Sequence, residues 1–261
     1  MKALVLTANE IRHNYFIQTV SERFDLVGVI KQPKKMYYEK SLYKTNFMQE
    51  HFKLLSKAEK KWLGNCDSQV SGSKFYKCDQ YQTDNINSKR TLEWAKKRSP
   101  DVILLFGTRI LDPIWMKSFN NIVNLHLGLA PYYRGSATLF WPFVNRQLDC
   151  VGVTLHLTIE DVDAGPILSR IKPPIEPGDN YYDINYKAIK AGIDGMPDTV
   201  DNYINGRIEP TVQRSKKYRR VYRKKDFNEQ ALKQALEFIG TGITKKQIQK
   251  AKEESKCKFL Q

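Results

Sequence analysis

The run D-V-I-L-L-F at residues 101–106 constrains this chain more than any other stretch. Five apolar residues in a row leave no polar face, so the segment suits a strand covered on both sides, as at the centre of a parallel sheet. The beginning of the chain supplies matching parts. K-A-L-V-L-T (residues 2–7) and D-L-V-G-V-I (residues 25–30) read as strands, and Tyr15, Phe16, Thr19, Val20 and Phe24 recur between them at helical spacing. A strand–helix–strand unit of this size implies parallel pairing through a right-handed crossover. The expected class is α/β, with a Rossmann-like parallel sheet. The turn after the first strand, T-A-N-E-I-R-H-N-Y, contains no glycine. A dinucleotide pyrophosphate needs glycines there for close backbone approach, which argues against an NAD or FAD enzyme. Arg12 and His13 lie in that turn, at the strand ends where ligands dock, and are candidate phosphate-binding residues.

At 261 residues the chain can build one large domain, alone or with a small appendage. The first apolar run, Ala3 to Thr7, is too short for a signal segment, and no stretch is long enough to cross a bilayer. Cys66, Cys78, Cys150 and Cys257 lie far apart without a CxxC pair. That spacing fits a reduced, cytoplasmic protein better than a disulfide frame or a zinc site.

Residues 33–90 read as an insertion rich in Lys, Tyr and Asn. Within it Met48, Phe52, Leu55, Ala58 and Trp62 form a helical apolar stripe that Gly64 can close, and Cys66 to Asn87 reads as a long loop. Ser88 offers an N-cap for a helix ending near Pro100, and Asp112-Pro113 is a second helix start. L-F-W-P-F-V (residues 139–144) reads as a buried helix and residues 181–204 as the last helix of a main domain spanning 1–205.

The chemistry concentrates in I-V-N-L-H-L-G-L-A-P-Y-Y-R-G, residues 122–135. Asn124 and His126 are two apart on a strand and therefore share a face. An amide donor beside an imidazole can hold and polarise a carbonyl oxygen, which is what acyl transfer requires. A second strand, V-G-V-T-L-H-L (residues 151–157), carries Thr154 and His156 on one face, and T-I-E-D-V-D-A-G-P-I-L-S follows with Asp161 and Asp163. No His/Cys/Asp cluster has metal-ligand spacing, so no metal is expected.

N-L-H-L-G-L-A-P-Y-Y-R-G followed by D-V-D-A-G-P-I-L resembles the folate-dependent formyltransferase family, over roughly residues 100–169 well and 1–31 loosely. The family's Asn-x-His and its Asp before a small residue and Gly fall on Asn124, His126 and Asp163. The resemblance implies formyl transfer from formyltetrahydrofolate to a primary amine with those three as catalytic residues. It implies that the pterin is received around Phe106, Gly107, Thr108, Arg109 and Ile110, with Asp161 also on the cofactor side. Arg12, His13, Tyr133 and Arg134 are then the expected substrate-binding residues.

The formal charge is +15, and residues 206–261 carry 16 Lys/Arg against 6 Asp/Glu. The run at 214–225, R-S-K-K-Y-R-R-V-Y-R-K-K, has eight basic residues and no acid. It suits a polyanion, tRNA or a nucleoside diphosphate, or else a solvated basic hairpin. This extension reads as a short hairpin plus two helices, the last with Thr244 and Gln247 in capping-box positions. Methionyl-tRNA formyltransferases carry a larger C-terminal barrel, and the purine enzyme lacks such a tail. The resemblance therefore points to the sugar-nucleotide branch, associated with lipopolysaccharide O-antigen biosynthesis and usually dimeric. Its expected substrate is an amino dideoxy sugar on a nucleoside diphosphate, not nucleic acid or membrane. A methionyl-tRNA formyltransferase-like enzyme, or an RNA-binding module using the basic extension, is the alternative.

Overall fold

The computed structural model describes residues 1–33, 45–64, 78–213, 221–254 and 257. Its frame is a seven-stranded sheet. Five strands run in parallel: β1 (Lys2–Thr7), β2 (Asp25–Lys31), β3 (Gln80–Gln82), β4 (Val102–Phe106) and β5 (Ile122–His126). Two more, β7 (Val153–Leu157) and β8 (Ile167–Ile171), add antiparallel to the β5 edge, giving the order β3-β2-β1-β4-β5-β7-β8. A two-residue strand β6 (Arg134–Gly135) lies between β5 and β7 in the chain. The sheet is thus parallel at its centre and antiparallel at one side.

Alternation along β4 builds the two faces. Val102, Leu104 and Phe106 enter one core with Ala3, Val5, Val123, Leu125, Val153 and Leu155. Ile103 and Leu105 enter the other with Leu4, Leu6, Ile30 and Ile122. The first core is covered by α1 (Ile11–Arg23), α2 (Asn46–Leu63) and α6 (Tyr181–Ile204), the second by α3 (Lys89–Lys96) and α4 (Pro113–Ser118). Each such buried Val, Leu, Ile or Phe side chain contributes about 1.5–3 kcal/mol relative to exposure. Close approach of α6 depends on Gly192, where an added Cβ would lie 2.5 Å from Val153 Cγ2.

The insertion is docked. Its helix α2 buries Met48 and Ala58, packs Phe52, Leu55 and Trp62 against the first core, and pairs Lys61 and Trp62 with Asp183 of α6. The expected loop after Cys66 is in part a strand: Gln80–Gln82 adds to the edge of β2, while 65–77 lies outside the described residues. Ser88 caps α3 by accepting from Thr91 N. The segment L-F-W-P-F-V yields only a short helix, α5 (Trp141–Val144), buried as expected.

The extension supplies β9 (Val221–Tyr222), α7 (Glu229–Ile239) and α8 (Lys245–Glu253). The Thr244–Gln247 capping box is present. On either side of 214–220, where the expected hairpin falls outside the described residues, the chain pairs with the core: Thr211 bridges Ile167, and β9 runs parallel to β6. Most of the basic run, 214–220, lies outside the described residues. Tyr222, Phe227 and Ile243 join the first core, and Leu232, Ala235 and Ile239 do so from the apolar face of amphipathic α7. The cysteine reading is corrected here: Cys150 and Cys257 form a disulfide across 107 residues. Distance along the chain concealed a pair that tertiary folding brings together. Among the described residues no helix is long and apolar enough to cross a membrane.

Candidate functional site

The antiparallel junction of β5 with β7 sets Asn124 opposite His156 and His126 opposite Thr154. Val123 and Leu125 point into the first core, so period-two alternation turns Asn124 and His126 to the other side. The loop after β7 then returns Asp163 to the same place. Asp163 Oδ1 lies 3.4 Å from His126 Nδ1 and 3.8 Å from His156 Nε2. Asn124 Nδ2 is 3.1 Å from His156 Nε2. An amide, two imidazoles and a carboxylate therefore meet, from three separate stretches of chain.

The partners of each ring decide its protonation. His126 Nε2 lies 2.7 Å from the carbonyl of Tyr133 and its Nδ1 faces Asp163, so both nitrogens look at acceptors and the imidazolium suits both. Burial alone would lower its pKa, but the charge and hydrogen bond of Asp163 and the Tyr133 carbonyl outweigh burial and raise it. His156 is the opposite case. Its Nδ1 donates to the Leu157 carbonyl, leaving Nε2 to accept from Asn124. Burial first, and the neighbouring His126 cation second, push its pKa down to about 4. Burial would raise the Asp163 pKa, but His126, the Gly135 N–H and His156 hold it far below the carboxylate range. The site thus holds an ion pair beside a neutral imidazole and an amide.

Backbone geometry positions these groups. Asp163 takes a left-handed φ of +50°, and Gly135 N donates to its Oδ2 at 3.0 Å. Gly165 is wedged against β7, where an added Cβ would fall 1.7 Å from the Leu157 carbonyl oxygen. Thr154 donates to Gly128 O and accepts from Ala130 N, while Arg170 Nε donates to Ala130 O, which fixes the turn between β5 and β6.

Several expected ligand residues are placed differently. His13 is fully buried, bonded to Thr7 Oγ1 and paired with Glu10, so it cannot reach a substrate. Arg12 is held by Glu59 at 2.9 Å and Glu10 at 3.5 Å, so carboxylates already occupy its charge. Tyr133 is 2 % exposed, its hydroxyl donates to Gln147, and its ring stacks on Tyr222, which makes it core. Phe106 is buried, its ring against His13 and Phe16, and its carbonyl accepts from Thr7. In each case an apolar or charged partner elsewhere in the chain claims the side chain. Gly107 (φ +76°) turns the chain outward, and Thr108, Arg109 and Ile110 reach the surface, Ile110 at 67 % exposure. Gln32 Oε1 accepts from Arg109 N and Asn87 Nδ2 donates to Ile110 O, holding this loop open beside β4. Asp161 is exposed on the loop before Asp163. Arg134 donates to the Val162 carbonyl, beside Asp163, and its Nε is buried without a partner among the described residues.

Gln32, Asn87, Arg170 and Gln213 gave no sequence signal, since each acts through backbone atoms of distant segments. His156 was legible through its two-residue offset from Thr154. Among the described residues the grouping with metal-ligand proximity is Asp149, Cys150 and Cys257, whose two sulfurs are joined to one another.

The buried neutral histidines carry a prediction. His51, burial-depressed to about 4 like His156, also stays uncharged in the fold. Groups whose folded pKa lies below the unfolded value of ~6.5 stabilise once deprotonated, so stability should climb from about pH 4 to about pH 6.5 by a few kcal/mol. Above that range the raised His126 works the other way, and its contribution is lost as pH rises through its folded pKa. Urea denaturation across this range checks it; a flat profile between about pH 4 and 6.5 would contradict it.

The family described as formyl transferase matches residues 7–200 of the chain. Among solved structures, a sugar N-formyltransferase from Shewanella sp FDAARGOS_354 is similar with a TM-score of 0.59 at 15% identity, over 92% of this chain and 88% of its own. Glycinamide ribonucleotide transformylase 1 from Symbiobacterium toebii is similar with a TM-score of 0.55 at 18% identity, over 81% of this chain and 93% of its own. An N-formyltransferase from Helicobacter canadensis, solved with folinic acid and dTDP-3-aminofucose, is similar with a TM-score of 0.54 at 16% identity, over 87% of this chain and 73% of its own.

Proposed function

This chain belongs to the formyl transferase family and is a formyl-transferring enzyme, and on that premise we propose that it moves the formyl group of formyltetrahydrofolate to the primary amine of a nucleotide-linked amino dideoxy sugar. The observation that carries the catalytic half is the convergence of the Asn124 amide, the His126 imidazole and the Asp163 carboxylate, with His126 Nδ1 3.4 Å from Asp163 Oδ1. The residues at the end of β4 fit a folate: with the loop pinned by Gln32 and Asn87, the remaining backbone groups of 107–110 can read a flat donor–acceptor ring, and exposed Ile110 can cover its face. When bound there, the folate supplies the formyl carbon.

The protein's part is to stabilise charge and move a proton. One amide N–H of Asn124 is given to His156, and the second is free in its valence for the formyl oxygen as negative charge develops. His156, kept neutral, fixes the amide's direction. The His126 cation adds positive potential beside that oxygen, although both its N–H groups already have acceptors, so Asn124 is the principal donor. Asp163, held ionised, accepts the proton released as the amine bonds to carbon, directly or through water, and returns it to the departing nitrogen.

The sugar-nucleotide half is supported by the extension. The likeness to the Shewanella enzyme runs over 92% of this chain, against 81% for the Symbiobacterium transformylase, and the tail here is folded into the core. Arg134, beside Asp163, has guanidinium capacity to spare for a diphosphate. Purified protein with formyltetrahydrofolate should release tetrahydrofolate with a dTDP- or GDP-linked amino sugar, and at least a hundredfold less efficiently with glycinamide ribonucleotide or methionyl-tRNA. Preference for either of the latter amines would overturn the substrate assignment. Arg134→Ala should raise KM for the nucleotide sugar roughly tenfold, the value of a charge-assisted hydrogen bond, with a smaller effect on kcat.

A further inference from the structure

The mechanism uses Asp163 but does not explain what holds it at φ +50°, a conformation side-chain-bearing residues adopt reluctantly. The hold comes from the C-terminal extension. Gln213 Nε2 donates to the carbonyl of Asp163 at 3.1 Å and to that of Gly165 at 2.7 Å, spanning the turn with both hydrogens of one amide. The segment that delivers it is anchored two residues earlier, where Thr211 and Ile167 exchange backbone hydrogen bonds of 2.8 Å in each direction. The extension reaches the same carboxylate from its other side. Strand β9 pairs with Arg134–Gly135, Ser136 N donates to Tyr222 O, and the Gly135 N–H so positioned donates to Asp163 Oδ2.

We infer that Gln213 is a positioning residue, a clamp through which the C-terminal extension sets the carboxylate of Asp163 against His126. It touches neither substrate nor reacting atoms, and its role for turnover rests on the formyl-transfer reading above. The geometric part stands apart from that reading, because the distance of Asp163 from His126 governs the imidazole whether or not any amine is formylated. The charged and titratable groups facing His126 are Asp163, His156 and Arg134, with the Tyr133 carbonyl on its other nitrogen. Of these, the clamp acts directly on the turn carrying Asp163.

The test uses the full chain, whose four histidines give a tractable set of imidazole signals in NMR titration. Three variants are compared: Gln213→Leu, which keeps an apolar stem but removes the donor; Gln213→Lys, which restores a donor on a slightly longer stem; and Gln213→Glu, which opposes two carbonyls with an acceptor. The Leu variant should lower the titration midpoint of His126 by about half a unit or more, as its counter-charge drifts away. It should lower kcat by about ten- to a hundredfold, the scale of an ångström's misplacement, with KM for both substrates within about twofold. Lys should recover most of the loss in kcat, and Glu should be no better than Leu in kcat; the charge each adds acts on His126 itself, so the titration is read on the Leu variant. A Leu variant with an unshifted His126, or one that outperforms Lys, would overturn the clamp and leave Gln213 as packing. Should the Leu variant not fold, the Lys-against-Glu comparison decides in the same sense. Wild-type protein that formylates no amine would instead overturn the proposed function, with the titration arm still readable.

Discussion

Replacing Asp163 by Asn should lower kcat for formyl transfer by about a thousandfold while leaving the fold in place, the range in which a positioned acid–base group acts. The substitution keeps the shape and can still accept the Gly135 N–H, so the turn has no reason to collapse. What disappears is the charge. His126 is 5 % exposed, and burial pulls its pKa down; only the carboxylate and the Tyr133 carbonyl hold it up. Without the carboxylate the imidazolium becomes costly and the ring turns neutral at lower pH. The alkaline limb of the kcat profile should therefore move to lower pH in Asp163→Asn, in addition to the overall loss. Asn124→Ala should cost about a hundred- to a thousandfold, the typical effect of removing one oxyanion donor. An Asp163→Asn enzyme that keeps more than a tenth of wild-type kcat, with an unmoved alkaline limb, would remove Asp163 from the mechanism.

The second large effect is expected from a single methyl group. Gly165→Ala would place Cβ 1.7 Å from the Leu157 carbonyl oxygen and 2.8 Å from its carbon. Neither neighbour is a side chain that can swing away. Leu157 N also donates to Pro166 O at 2.9 Å, so the strand and the turn are tied on both sides of the clash. Relief must come from moving the 163–165 turn, which carries the carboxylate. The expected result is a loss of about 2–3 kcal/mol of stability, the scale of overpacking, together with a fall in kcat comparable to that of Asp163→Asn. Gly206→Ala is the control. It too has a left-handed φ, +66°, but nothing lies within 4 Å of its added Cβ. It should cost about 1 kcal/mol from backbone strain alone, with kcat unchanged. Denaturant midpoints and kcat measured on the two variants together separate the explanations; equal kcat values would show that the turn's position is unimportant.

The parts of the site that could be read in the sequence were those encoded locally. Asn124 and His126 announce themselves because a strand's period is two, and a polar pair at that spacing within apolar neighbours must share a face. Gly135, at φ +96°, marks a turn because glycine relaxes a backbone restriction that acts at one residue. Helix caps at Ser88 and Thr244 were legible for the same reason, each closing a hydrogen bond within three residues. The side chains of His13, Tyr133 and Phe106 turn inward for the converse reason. Each lies in a stretch that approaches the ligand end of the sheet, but whether a side chain points out or in depends on Thr7, Gln147 or Phe16 waiting for it. The disulfide between Cys150 and Cys257 was missed because no local pattern marks two cysteines 107 residues apart.

The sequence by itself determined the α/β class, the sheet's buried centre at 102–106, and the amide–imidazole pair on its neighbouring strand, since hydrophobic period and turn chemistry are properties of short windows. Only the tertiary structure decided that Asp163 meets His126, that a second, neutral histidine orients the amide, and that Gln213 from the extension bonds the 163–165 turn. Those outcomes depend on contacts between segments tens of residues apart, made through backbone carbonyls and N–H groups that every residue possesses. A residue's type does not reveal which distant carbonyl it will find. Packing of the extension into the core does.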